Sequence, residues 1–224
     1  MNKTGFTLIE ILLSMVILSS VIFVGSLSFS VYSEKWQSGI GDFDAVYEES
    51  RNILLMQKMF VGASNYIIKN EQNDVAYFFE GTAERLAFVS NNPIYNPTSP
   101  AVVTLHIETN REGLQDLVYS EYSFENQLLL NKNQSLQTNF SMVLFSRENM
   151  RFNYFGWETN EQRIASNDGQ DFVPVWRKIF DADESGMLPF AVSIIWLNSE
   201  PIIFNMANDN AELLSYTNQK RNEA

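Results

Sequence analysis

The chain has no cysteine and a single histidine, His106. The first absence excludes disulfides, thiolate metal sites and cysteine nucleophiles, and it leaves the redox compartment unreadable from thiol usage. The second argues against metal centres and catalytic triads, which usually draw on two or more His or Cys side chains. Basic residues are scarce too: 15 Lys and Arg against 27 Asp and Glu give a net charge of −12. Such a surface repels nucleic acid and anionic headgroups, so no nucleic-acid partner is expected. There is no Gly-x-Ser-x-Gly elbow, His-Glu-x-x-His helix or phosphate loop, so a membrane-anchored hydrolase working through paired carboxylates has little support and the chain reads as non-enzymatic. What the sequence does hold is 45% hydrophobic and 13% aromatic residues in 224 positions, enough for one substantial core plus an extension.

The extension is at the N-terminus. From Phe6 to Ser33 the only formally charged side chain is Glu10, and the nineteen residues from Ile11 to Phe29 are apolar or small throughout. At about 1.5 Å per residue they reach about 28 Å, close to the hydrocarbon thickness of a bilayer. A conventional secretory signal would place its small-residue cleavage site after the apolar core. Here the small residue precedes it, in Met1-Asn2-Lys3-Thr4-Gly5, and Lys3 supplies the positive charge that favours the cytoplasmic side, so the remainder is expected to face outward.

Gly5-Phe6-Thr7-Leu8-Ile9-Glu10, behind a five-residue leader and before a spanning segment, resembles the prepilin signature of type IV pilins and of the pseudopilins of type II secretion and competence systems. The resemblance implies cleavage by a prepilin peptidase between Gly5 and Phe6, N-methylation of Phe6, and an assembly role for Glu10 as the fifth residue of the mature chain. Physical chemistry points to Glu10 independently. An acidic side chain inside hydrocarbon costs roughly 2.5–3.5 kcal/mol on insertion scales, which favours a cationic partner. The new Phe6 amine of a neighbouring subunit would be one, in a low dielectric where attraction is strong, and the pair would set axial register. The plainer alternative is an interfacial Glu10 that snorkels to water. Ser14, Ser19, Ser20, Gly25, Ser26, Ser28 and Ser30 would let such helices approach closely.

Beyond the span, Trp36, Ile40, Phe43, Tyr47, Leu54, Val61 and Ile68, flanked by Val46, Ile53, Phe60 and Ile67, keep a helical stripe to about Ile68, with a possible break near Gly39 and Gly41. The stripe is read as packing against the protein's own sheet. From Asp74 the pattern turns to short strand-like runs: Val75–Phe79, Arg85–Val89, Val102–Glu108, Leu117–Phe124, Gln127–Leu130, Met142–Phe145, Met150–Phe155, Phe190–Leu197 and Ile202–Met206, separated by Asn, Pro and Gly turns. The expected fold is α+β, a long N-terminal transmembrane-to-periplasmic helix followed by an antiparallel pilin-like head. The expected divisions are leader 1–5, assembly helix 6–33, helix continuation 34–70, β-rich head 71–206 and polar tail 207–224.

A looser resemblance lies in the last third. The order Met150 to Trp157, Trp176, then Leu188-Pro189-Phe190 to Ile194 is similar to the strand, tryptophan, Leu-Pro and strand order of J-type minor pseudopilins of type II secretion. W-type minor pilins of type IV pili share part of it. The resemblance implies a minor pseudopilin near the filament tip that helps initiate the pseudopilus and assists export. The alternative is a minor pilin that primes a surface pilus for adhesion, motility or DNA uptake. The implied partners are the prepilin peptidase, other minor and major pseudopilins, the inner-membrane assembly platform and membrane lipid. The implied location is the bacterial inner membrane, single-pass, with the head in the periplasm.

No cofactor is expected. Asp181-Ala182-Asp183-Glu184-Ser185-Gly186 looks like the first half of a calcium loop, but position twelve would be Val192 where a bidentate Glu is required, so a plain acidic turn is the better reading. Asp168-Gly169-Gln170-Asp171 reads as a turn, and His106, between Leu105 and Ile107, as a strand histidine.

Overall fold

A computed structural model describes residues 8–206 other than Asn126 and Gln170, with the backbone alone described for 34–45. The chain divides between Ser50 and Arg51 into two compact units. Helix α1, Leu8–Val61, runs for 54 residues without interruption, so no break occurs at Gly39 or Gly41.

The last turns of α1 belong to the head. Met56, Met59 and Phe60 are fully buried, Ile53 packs partly against the same cluster, and Asn52 donates its side-chain amide to the Leu144 carbonyl at 2.8 Å. This face differs from the one the seven-residue spacing favoured, because Tyr47, Leu54 and Val61 are exposed while the neighbouring 3–4 spaced row is buried. The helix also ends earlier than expected. It stops at Val61, and Ile67–Lys69 forms strand β1, so the helix continuation proposed for 34–70 is too long. A side chain at Gly62 would come within 2.8 Å of the Asn92 backbone and Cβ, a close approach that only glycine permits. The sequence Tyr66-Ile67-Ile68 suits a short strand as well as a helical stripe, which is why periodicity overran the boundary.

The remaining elements are β2 (Val75–Tyr77), β3 (Phe79–Gly81), β4 (Arg85–Ser90), β5 (Ala101–Thr109), β6 (Gln115–Ser123), β7 (Phe140–Arg147), β8 (Arg151–Gly156), α2 (Asn160–Asn167), β9 (Val175–Arg177), β10 (Phe180–Asp181), α3 (Ala182–Ser185), β11 (Ala191–Ile195) and β12 (Ile202–Asn205). β1 and β2 pair as a hairpin. A six-stranded antiparallel sheet has the order β10-β3-β4-β5-β6-β7, and a four-stranded antiparallel sheet the order β12-β11-β8-β9. The fold is therefore α+β with an antiparallel head. The expected strand Gln127–Leu130 does not form, and the isolated bridge of Lys69 to Asn131 lies just beyond it. Leu129 is buried between exposed Leu128 and Leu130, an alternation that imitates a strand without a ladder.

Period-two alternation sorts the larger sheet into two faces. Leu86 and Phe88 of β4, with Val103 and Leu105 of β5, join the main core. Ala87, Val89 and Val102 face the opposite way, into a smaller cluster with Ile68, Phe78, Tyr122 and Leu129. Phe60 ties three layers of the main core together: its ring stacks on Phe88 at 5.3 Å and on Phe204 of β12 at 4.9 Å. Fully burying one such ring contributes roughly 1.5–3 kcal/mol, before any gain from aromatic geometry.

Two local devices fix the head. Gly81 lies against the ring of the buried Tyr154, whose hydroxyl donates to the Thr82 carbonyl at 2.7 Å, and a Cβ at position 81 would overlap that ring. Glu121 is almost wholly buried, and its carboxylate accepts from the Tyr95 and Asn96 amides at 2.9 and 3.1 Å and from the Tyr119 hydroxyl at 2.6 Å. Tyr119 in turn accepts from the Ile94 amide at 3.0 Å, so two side chains of β6 hold the loop between β4 and β5. Burial, reinforced by Glu121, pushes the Tyr119 phenol well above the usual tyrosine range, so it stays a donor at any physiological pH.

Urea unfolding of the full-length chain in detergent micelles checks both devices. Gly81→Ala is expected to destabilise the head by about 1–3 kcal/mol through overpacking against Tyr154. Glu121→Ala is expected to cost about 2 kcal/mol, since three donors lose a charged acceptor, with Glu121→Gln in between. Unchanged midpoints would show that neither contact supports the fold.

Candidate functional site

Leu8–Ser33 is long and apolar enough to cross a membrane: 26 residues with a mean hydropathy of 2.5, none of them buried within the protein. At about 1.5 Å per residue it extends for about 39 Å, more than the roughly 30 Å hydrocarbon core. Leucine, isoleucine, valine and phenylalanine lie on every side of it, so no face is reserved for the chain's own core: Leu8 is 80% exposed and Phe29 72%. A surface of this size and composition requires an external cover, whether lipid or neighbouring subunits.

A helix suits that surroundings because it satisfies its backbone internally, and the serines follow the same rule. Ser14 donates to the Ile11 carbonyl at 2.8 Å and Ser20 to the Val16 carbonyl at 2.9 Å, so neither hydroxyl needs water. Val16, Ile17, Ser20, Val21 and Val24 outline a shallow recess along one side of the helix. At Gly25 no atom of the described residues lies within 4 Å of where a Cβ would stand, so none of them requires a glycine there. A missing side chain at such a point lets another helix approach closely.

Glu10 lies in the first described turn of α1, exposed at the outset of this apolar surface. Gly5 and Phe6, where cleavage and methylation are expected, lie outside the described residues, as does the tail 207–224. The side chains of Trp36, Ile40 and Phe43 fall in the stretch where only backbone is described.

In the head, Asp181 and Asp183 are engaged by protein groups. Asp181 caps α3, accepting from the Asp183 amide at 2.9 Å, and its other oxygen lies 2.9 Å from Lys132 Nζ. Asp183 accepts from the Asn70 side-chain amide at 3.0 Å, and Glu80 adds a third carboxylate 3.4 Å from the same lysine. An ammonium thus stands where a calcium ion would need open coordination space, and Val192 is buried in β11. Among the described residues no group of three His, Cys, Asp or Glu side chains converges as a metal site requires. Lys132 was not legible as a site residue: it sits in the polar run Asn131-Lys132-Asn133, and its partners are distant in sequence. Asp168 ends α2 and Gly169 has a positive φ of 88°, in keeping with a turn. His106 lies in β5, its Nε2 3.7 Å from a Glu108 oxygen and its backbone in register with Arg85.

The pieces of the C-terminal resemblance come together in one sheet. β11 pairs with β8, β8 pairs with β9, and Trp176 of β9 lies in register with Phe155, their rings 5.3 Å apart. Phe155 also packs against Phe190, which follows Leu188-Pro189 into β11.

No curated protein matches the chain. Residues 1–25 match the family model described as the prokaryotic N-terminal methylation motif, so the chain carries the signature of type IV pilins and pseudopilins, whose members are structural subunits processed by a prepilin peptidase.

Proposed function

We propose that the chain is a minor pseudopilin of the J type, a non-enzymatic subunit that assembles with other minor pseudopilins near the tip of a type II secretion pseudopilus, initiates the filament and assists protein export. The observation that carries this reading is a single acid, Glu10, at the start of an apolar helix whose whole circumference is exposed, directly behind a five-residue leader that ends in glycine. The prepilin peptidase cuts between Gly5 and Phe6, and Phe6 is methylated on its new amine. In the filament that amine meets Glu10 of an adjoining subunit, while the other apolar side chains exchange lipid for neighbouring helices. Lys3 holds the leader on the cytoplasmic side and the head lies in the periplasm, where it meets the other minor subunits; the span engages the inner-membrane assembly platform. The single sheet that unites β8, Trp176 and the strand after Leu188-Pro189 supports the J-type assignment, because the matching segments form one physical unit.

Glu10→Ala should leave the subunit inserted, since the span becomes more apolar, but should reduce its incorporation into filaments roughly tenfold or more, because the charged register contact is gone. Crosslinking of membrane and filament fractions reads both quantities, and normal incorporation would remove the register role. Deletion of the gene in the native host is expected to block release of exported proteins and leave surface pili intact. Lost piliation with normal export would assign the chain to a surface pilus instead.

A further inference from the structure

Between β6 and β7 the chain crosses the outer face of the six-stranded sheet, and residues 127–138 do so without a helix or a ladder. Most of their side chains are exposed, yet the segment is bonded to itself. Gln134 donates its backbone amide to the Asn131 carbonyl and its side-chain amide to the Leu128 carbonyl, and its side-chain oxygen accepts from the Leu130 amide. This strap and the strands beneath it line a groove of about 490 Å³, with Ala87, Val102, Thr104 and Ser120 on the sheet side and Lys132 and Leu136 on the strap side.

The polar attachments of the strap fall within one short stretch, residues 129–132, while Leu136 packs partly against the same apolar cluster. Leu129, 1% exposed, inserts into the smaller apolar cluster, and its carbonyl accepts from the Tyr66 hydroxyl at 2.8 Å. The Leu130 carbonyl accepts from the Lys69 amide, and the Lys132 amide donates to the Lys69 carbonyl, both at 2.9 Å. Lys132 Nζ then reaches three carboxylates: Asp181 at 2.9 Å, Glu80 at 3.4 Å and Asp183 at 3.9 Å. The two ends are fixed separately. The Phe124 amide donates to the Pro100 carbonyl and the Asn139 amide to the Glu121 carbonyl, so both flanks stay bound when the middle lets go.

We propose that residues 127–138 form a hinged cover that opens as a unit, with the Lys132 cluster as its latch, exposing the apolar floor of Ala87, Val102 and Tyr122 and widening the groove. One lysine holds three acids from β3, β10 and α3, so its loss both frees the strap and leaves like charges facing one another. Proton release is not the trigger. Burial works to lower the Lys132 pKa, but Asp181 and Glu80 outweigh it and the net direction is upward, so the ammonium stays charged through the physiological range.

Hydrogen exchange on the full-length chain in detergent micelles tests the cover. In Lys132→Met the amides of Lys69 and Lys132 should exchange roughly fivefold faster or more, those of Val103 and Tyr119 should keep their wild-type rates, and Lys132→Arg should stay near wild type. Unchanged rates at Lys69 and Lys132, or equal acceleration throughout the sheet, would overturn the proposal. A second measurement needs no variant: in the wild-type chain at low urea, exchange at Lys69 and Lys132 should depend only weakly on denaturant, while Val103 and Tyr119 follow global unfolding. A shared urea slope would show that the strap opens only with the whole head.

Discussion

The constraint on which the structure depends is that the 26 residues from Leu8 to Ser33 present apolar side chains on every side and bury none of them within the chain. Water does not tolerate such a surface and no other described residue covers it, so it requires an external cover. That requirement dictates a helix, because in hydrocarbon every backbone donor and acceptor has to be satisfied within the segment. It explains serines whose hydroxyls bond to their own helix, and it turns one carboxylate into the most informative residue of the segment. An acid in that setting costs several kilocalories per mole unless a cation meets it, which is why the proposed register contact rests on Glu10.

The same helix obeys a different rule once it enters the head unit. At Asn52, Met56, Met59 and Phe60 one face turns inward, and the packing logic becomes that of a soluble α+β protein. Phe60 stacks between rings from both sheets, so the end of the helix is part of the core itself. The larger sheet is apolar on both faces. Its second face needs its own cover, which Leu129 and the strap supply in part. A head built in this way keeps a stable main core while leaving a thinner, separately attached layer over the outer face.

Much of this was legible in the residues. The span was readable because nineteen apolar or small residues in a row leave few other options, and most strands because alternation and turn chemistry agreed, as in β4 to β7. The end of α1 was not, since Ile67 and Ile68 continue a helical spacing although the helix stops at Val61, just before the close approach of Gly62 to Asn92 that is visible only in three dimensions. Short elements that draw their stability from contacts rather than propensity also escaped: β9 pairs through a proline-flanked stretch, β10 is two residues long, and α2 buries none of its side chains. Glu10 stood out because it breaks a pattern, whereas Lys132 did not, because a lysine in a polar loop looks like any other until Glu80, Asp181 and Asp183 are seen around it.

Removal of the leader would create a cation next to the helix that carries the acid, and only a cut chain can offer that amine to its neighbour. The most direct test is the N-terminal sequence and mass of the protein recovered from filaments in its native host. The account predicts a chain that begins at Phe6 with an N-methylated amine. Assembled subunits that still begin at Met1 would contradict it.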